Sequence, residues 1–184
     1  MSGSSERVWW RAGVVALLGL AVPAHAAQSA AAPCVSVEDV QAMAAYALPS
    51  AMDGLIMHCS PHLAPSGFLR SQGPALVARY AAGKQAAWPQ AKRALLQIAG
   101  EKQDKSADLI ADLPDASLQP FVEGLIGGMI GKELKPEQCS LAERLVRLLS
   151  PLPPGNMIEL VGLLVEFGSK DKKPGPGGLK LCPR

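Results

Sequence analysis

Four widely spaced cysteines constrain the fold of this chain more than any other feature of its sequence. They are Cys34, Cys59, Cys139 and Cys182, and the closest two are 25 positions apart. Zinc knuckles and thioredoxin-like sites place their cysteines about two to four residues apart, so the spacing argues against both. An even number of cysteines in an exported chain is typical of structural disulfides. We therefore expect two disulfide bonds, formed in an oxidising compartment.

The first 26 residues have the layout of a secretory signal peptide. Arg7 and Arg11 precede an apolar run that ends at Val22, and small residues surround the expected cleavage point at Ala26. The apolar run is about half as long as the roughly 20 residues that a membrane-spanning helix needs. The sequence thus predicts that residues 1–26 are removed and that the product is periplasmic or secreted, with no transmembrane span.

The 158 residues that would remain have the size of one domain. Aromatic residues are few, so leucine, alanine, valine, isoleucine and methionine must fill the core, which suits closely packed helices. The sequence contains no alternating run of β-branched residues, the pattern that would predict a strand. We expect an all-α fold, a compact bundle of about seven short helices that proline separates and two disulfides cross-link. Residues 27–168 would form this single domain, and residues 169–184 a flexible tail tethered by Cys182.

The pairing of the cysteines depends on whether the first helix is broken. One straight helix over residues 36–58 would hold Cys34 and Cys59 roughly 33 Å apart, at about 1.5 Å per residue. That distance is far beyond the ~7 Å Cα separation that a disulfide allows. These two cysteines can therefore pair only if the chain between them folds back on itself.

Pro49 is where we expect that break. Proline disfavours helical geometry at the residue before it, and Ser50 followed by Asp53 has the pattern of a new capping box. We therefore predict two short helices folded back on each other. The disulfides that follow from this arrangement are Cys34–Cys59 and Cys139–Cys182.

Glycines four residues apart characterise a helix predicted over Ser117 to Lys132. Gly124 pairs in this way with Gly128, and Gly127 with Gly131. Each pair lies on one face of the helix and lets another helix approach closely. The apolar run around them is too short to span a membrane, so we expect tight packing in a soluble core. Each glycine also costs roughly 1 kcal/mol relative to alanine, and such local weakness suits a mobile element or a groove.

The two last predicted helices differ in polarity. Pro136 to Leu149 is amphipathic, and Met157 to Phe167 carries only two charges. We expect the second of them to be the central helix of the bundle. The amphipathic helix, Pro136 to Leu149, should turn its apolar side to the core. That side consists of Leu141, Ala142, Leu145, Leu148 and Leu149.

Charge and motifs exclude several classes of function. The full chain has a formal charge of +2, and loss of Glu6, Arg7 and Arg11 leaves 16 basic and 15 acidic residues, a charge of +1. Nucleic-acid binding needs a basic face, which this chain lacks. The nucleophile elbow G-x-S-x-G is missing, as are H-E-x-x-H, the P-loop and Rossmann glycine patterns and the haem attachment signal C-x-x-C-H.

Met57, His58 and His62 form the one cluster that indicates metal chemistry. Thioether and imidazole ligands suit copper, so a periplasmic copper-binding protein is one alternative. The competing interpretation is structural, with Met57 packing and Cys59 in a disulfide. The histidines would then lie at a helix C-terminus, where an imidazolium interacts favourably with the helix dipole. Pro61 separates the two histidines and weakens the metal interpretation.

These observations favour a small exported helical protein that binds an envelope protein or a small ligand, or serves a structural role. Catalysis is the less favoured class, and no cofactor is expected apart from copper in the alternative above. A second alternative is a cell-envelope hydrolase. It would need a cleft with one of the histidines, or with two carboxylates about 5 to 9 Å apart.

Overall fold

One long helix runs through the middle of the fold. The computed structural model describes residues 34–101, 110–170 and 180–182, and helix α1 spans Val37–Cys59. The Ser36 hydroxyl accepts a hydrogen bond from the backbone N–H of Asp39 at 3.1 Å. In return, the Asp39 carboxylate accepts one from the Ser36 backbone N–H at 3.3 Å. This capping box satisfies donors that the start of a helix leaves without a partner inside the helix.

Five further α-helices whose bounds the structure describes follow α1, and residues 110–112 are also helical. They are α2 (Phe68–Ala81), α3 (Lys84–Glu101), α4 (Asp115–Glu133), α5 (Cys139–Leu149) and α6 (Pro154–Lys170). One short 3₁₀ turn, Ser60–His62, follows α1, and another, Pro136–Gln138, precedes α5. These ranges contain no strand, only an isolated parallel bridge between Val35 and Leu181. The predicted all-α bundle is confirmed.

Pro49 does not end α1, so the predicted break is wrong. The residue is buried inside a helix that continues to Cys59. A proline in a helix interior costs roughly 3 kcal/mol or more, because it removes a hydrogen bond and its ring meets the preceding turn. Here α1 packs against α2, α3, α4 and α6, and such packing supplies most of the stability of a helix in a protein. Pro74, Pro89 and Pro120 also lie inside helices.

Helix α1, rather than the last helix, is the centre of the bundle. Tyr46 on one side of α1 lies in an apolar cluster with Trp88 of α3 and Leu118 of α4. Met52 on another side packs in a cluster with Leu76 of α2 and Met157 of α6. The expected centre, α6, instead leaves large side chains in solvent, and these are Leu163, Leu164 and Phe167. Low charge on α6 therefore reflects an exposed apolar surface and not a central position.

The disulfides join Cys34 to Cys182 and Cys59 to Cys139, so the predicted pairing is also wrong. Because α1 is continuous, its two ends are far apart, which is the straight-helix case that forbids a Cys34–Cys59 bond. Each end of α1 is instead tied to a different part of the chain. Cys59 and Cys139 are almost fully buried, and Leu69 at the start of α2 packs against them.

The Cys34–Cys182 disulfide ties residues 180–182 to the start of α1. The Val35 backbone N–H donates to the Lys180 carbonyl at 2.9 Å, and the Cys182 N–H donates to the Val35 carbonyl at 3.0 Å. Val35 is fully buried at this point. Residues 180–182 are therefore held by two backbone hydrogen bonds as well as by the covalent bond.

Helix α5 is rotated relative to the prediction. Leu141, Leu145 and Leu148 are exposed, although they were expected in the core. Glu143 is partly buried and accepts a hydrogen bond from the Leu69 backbone N–H at 3.1 Å. That N–H belongs to the first turn of α2, where donors have no partner inside the helix and a carboxylate is favoured. Together with the Cys139 disulfide, this contact sets which face of α5 meets the core.

No helix in the described ranges is long and apolar enough to cross a membrane. The predicted signal peptide, residues 1–26, lies outside the described residues. Of the predicted tail, residues 169–170 complete α6 and residues 180–182 are described, whereas residues 171–179 and 183–184 are not.

Candidate functional site

A cleft of about 510 Å³ lies where α1 crosses α4. The two helices meet at glycines: a Cβ atom built on Gly54 would lie 2.6 Å from the carbonyl oxygen of Gly127. Such a contact is too short for non-bonded atoms, so this approach requires glycine at position 54. The volume of the cleft lies within the range of about 300–1,000 Å³ that is usual for small-molecule sites.

Glycines and apolar side chains form most of the cleft lining. No atom of the described residues lies within 4 Å of the position where a Cβ on Gly124 or Gly128 of α4 would stand, so these glycines leave space between the described helices. Of the two predicted glycine pairs, only the one that contains Gly127 contributes to close packing against another helix. The apolar side chains of the lining are Pro49, Met57, Val77 and Ala81.

A network of polar groups centred on Glu123 also lines the cleft. The Lys84 ammonium lies 2.7 Å from a Glu123 carboxylate oxygen, with both side chains partly buried. The Tyr46 hydroxyl donates to the same oxygen at 3.0 Å, and the Lys84 ammonium lies 5.4 Å from the centre of the Tyr46 ring. Burial raises the pKa of Tyr46, and its hydrogen bond to Glu123 and the charge of that carboxylate raise the pKa further. Tyr46 therefore stays a protonated donor that holds Glu123 in place.

Asp53 gives the cleft an excess negative charge. It projects from α1 as an exposed side chain, and it has no ion pair or hydrogen bond with any other described residue. Lys84 and Glu123 neutralise each other, so the Asp53 carboxylate has no counter-ion among the described residues. A cleft with one sign of charge attracts ligands of the opposite sign.

The predicted metal cluster is divided between two environments. Met57 is 70% exposed and lines the cleft. His58 lies against α4, with its Nδ1 atom 3.5 Å from the position of a Cβ on Gly131. The Nε2 atom of His58 is buried and has no hydrogen-bond partner in the described part of the chain. His62 is exposed in the 3₁₀ turn, and the two imidazole centroids are 6.1 Å apart.

The structure therefore brings two imidazoles near each other, while Met57 faces the cleft. Cys59 is in a disulfide and cannot serve as a thiolate ligand. Among the described residues, no group of three or more histidine, cysteine, aspartate or glutamate side chains is arranged to hold a metal ion. What the pair offers a metal is at most two nitrogen ligands and a neighbouring thioether.

Neither histidine is placed as a base for a nucleophile within the described residues. Ser60, which lies between them in the chain, donates its hydroxyl to the Ile56 carbonyl. A base needs the nucleophile within hydrogen-bond distance, and no serine stands in that relation to His58 or His62 here.

The residues that define the cleft were only partly visible in the sequence. The spacing of Gly124 and Gly128 predicted close packing against another helix, and only the low helix propensity of these glycines suggested a groove or a mobile element on α4. Lys84, Glu123 and Tyr46 come from three different helices and share no motif, so no local pattern marks them.

Comparison with known proteins finds no matching family model, no matching curated protein and no matching solved structure. The shape and charge of the cleft are therefore the basis for inferring what the chain does.

Proposed function

We propose that this chain is an exported binding protein, periplasmic or secreted, that acts without catalysis. Its ligand would be a small molecule with an apolar body and a cationic group, bound in the cleft between α1 and α4. The observation that carries this proposal is the open space beside Gly124 and Gly128, next to the uncompensated carboxylate of Asp53.

The compartment in this proposal is supported by the cysteines. Both disulfides join distant parts of the chain, and the described residues include no free cysteine. Such cross-links form and persist in oxidising compartments and are rare in the cytosol. The signal-peptide pattern of residues 1–26 points the same way, and the mature exported protein should begin at Ala27.

The preference for a cation follows from the charges that line the cleft. Lys84 already pairs with Glu123 and would gain little from an anionic ligand. Asp53 can pair with an ammonium group, while Met57 and Val77 contact the apolar part of the ligand. Because Asp53 is exposed, this ion pair should contribute only a few-fold to affinity, and most of the binding should come from apolar burial.

Isothermal titration with octylamine, tryptamine and octanoate tests the proposal. The two amines should bind and octanoate should not. Gly128→Leu should abolish binding, because its side chain would occupy the cleft without meeting another atom near its Cβ. The matched control is Gly100→Leu, since a Cβ on Gly100 of α3 also has no described atom within 4 Å, and Gly100 does not line the cleft.

Asp53→Asn should lower affinity for the amines by about two- to five-fold, the usual effect of one exposed ion pair. Equal binding of octanoate, or unchanged binding by Gly128→Leu, would show that the cleft is not the binding site. Absence of binding by all three compounds would count against the proposed ligand class.

Copper binding is a second candidate, favoured by the buried Nε2 of His58 and the nearby ring of His62. Imidazole nitrogens suit copper, and His58 and His62 would supply them, whereas Met57 faces the cleft. Titration with Cu(I) and Cu(II) should show binding that His62→Ala weakens. If neither ion binds more tightly than micromolar, this candidate is wrong.

A further inference from the structure

The outer face of α5 carries a row of exposed leucines. Leu141, Leu145 and Leu148 are 56%, 51% and 68% exposed. Steps of four and three residues place them on one stripe of the helix. The neighbouring stripe faces the core, and its members are Ala142, Val146 and Leu149. The apolar side of α5 is thus wider than the part that the bundle covers.

Positive charge borders this leucine row. Arg144 and Arg147 are both exposed, and neither forms an ion pair with another described residue. The one acidic residue of α5 is Glu143, which is partly buried and bound to the backbone N–H of Leu69. The solvent-facing side of α5 therefore presents leucines and two guanidinium groups, with no carboxylate of its own.

A second copy of the chain is a poor partner for this face. Three leucines expose at most a few hundred Å², whereas a standard protein interface buries about 800 Å² on each partner. In an antiparallel two-fold pairing of this face, Arg144 and Arg147 of both copies would also lie on the same side of the contact. Like charges in contact oppose association, so the charge of the face calls for an anionic partner.

We propose that α5 binds the surface of a membrane that contains anionic lipids. The helix would lie in the plane of the interface, with Leu141, Leu145 and Leu148 below the headgroups and Arg144 and Arg147 on lipid phosphates. Leucines on one side with arginines beside them are the composition of helices that bind membranes in this way. This surface is separate from the cleft, and the inference does not depend on the ligand proposed for the cleft.

Sedimentation with lipid vesicles tests the inference on the full mature protein. Vesicles of phosphatidylglycerol and phosphatidylcholine in equal parts should bind the protein, and vesicles of phosphatidylcholine alone should bind it much less. Replacing both arginines, Arg144→Gln with Arg147→Gln, should weaken binding by about five-fold for each charge. Added salt should weaken binding of the wild-type protein in the same direction.

The double variant Leu145→Ser with Leu148→Ser tests the leucines. It should weaken vesicle binding by at least ten-fold, because two apolar side chains lose their contact with lipid. The matched control is Leu164→Ser on α6, where the side chain is 63% exposed and should have no effect. All five substituted positions are exposed, so circular dichroism should show unchanged folds.

Three results would overturn the inference. One is equal binding to vesicles with and without phosphatidylglycerol. Another is a decrease in vesicle binding by Leu164→Ser as large as the decrease caused by the α5 double variant. The third is dimerisation in sedimentation equilibrium without lipid that Leu145→Ser with Leu148→Ser abolishes, because the face would then bind a second copy.

Discussion

Replacing Gly54 by alanine should destabilise the protein, whereas the same replacement at Gly127 should not. The two glycines face each other across the α1–α4 crossing, but the crossing is not symmetric. A Cβ on Gly54 would lie 2.6 Å from the carbonyl oxygen of Gly127 and 2.7 Å from its Cα. A Cβ on Gly127 would lie 3.6 Å from the Ser50 carbonyl oxygen and 3.8 Å from the Cα of Gly54, which are ordinary contacts.

The expected magnitudes follow from two opposing effects. Alanine is favoured over glycine in a helix interior by roughly 1 kcal/mol, and this gain applies at both positions. At Gly54 the methyl group meets backbone, which no rotamer change can move, so the helices must separate at a cost of about 1–3 kcal/mol. Gly54→Ala should therefore lie about 1–3 kcal/mol below Gly127→Ala in free energy of unfolding, since the helix-propensity gain cancels between them.

Urea unfolding followed by circular dichroism, with disulfides intact, measures this difference. Gly128→Ala is the control, because its Cβ would meet nothing within 4 Å, and it should be as stable as the wild type or more so. At about 2–4 °C for each kcal/mol, the difference in melting temperature should also be resolved. If Gly54→Ala and Gly127→Ala are equally stable, the close approach at this crossing is wrong.

The remaining predictions concern cross-linking and polar contacts. Replacing Cys59 and Cys139 by alanine removes a cross-link between residues 80 positions apart. The unfolded chain then gains conformational entropy, so the free energy of unfolding should fall by about 4 kcal/mol. A decrease of less than about 1 kcal/mol in urea unfolding would contradict this. Burial acts to raise the pKa of Asp39, but hydrogen bonds from neighbouring side chains and a backbone amide outweigh it and lower that pKa. A lowered folded-state pKa contributes stability that is present above the unfolded pKa and lost as the pH falls through the folded value. Asp39→Asn should therefore flatten the fall in stability below about pH 4, and an unchanged acid profile would show that Asp39 has no such role. Tyr46→Phe removes the hydrogen bond to Glu123 and should cost about 1–2 kcal/mol. Gln72→Ala, an exposed change on α2, is the near-neutral reference in the same melts.

Two mistaken predictions have one common origin. We expected Pro49 to break the first helix, and the pairing of Cys34 with Cys59 depended on that break. The rule for proline describes a helix whose neighbours are unknown. In this fold α1 packs along its length against α2, α3, α4 and α6, and this packing outweighs the local preference. For a straight helix, the separation of roughly 33 Å expected between Cys34 and Cys59 from the sequence already excludes a disulfide between them.

The orientation of α5 shows a different limit. Periodicity identified an apolar side correctly, but that side is wider than the contact the bundle offers it. The Cys59–Cys139 bond and the contact of Glu143 with Leu69 select one half of it for the core. Both constraints involve residues more than 70 positions away in the chain, so no pattern within the helix could reveal which leucines stay exposed.

The amino-acid sequence by itself determined the class of fold, the number of disulfides and the glycine-rich surface of α4. These depend on local periodicity, cysteine count and residue size, which neighbours along the chain already define. Tertiary structure decided which cysteines pair, which helix is central, and how Lys84, Glu123 and Tyr46 meet beside Asp53. Each of these needs the distance between residues remote in sequence, and that distance is set only when the whole set of helices packs.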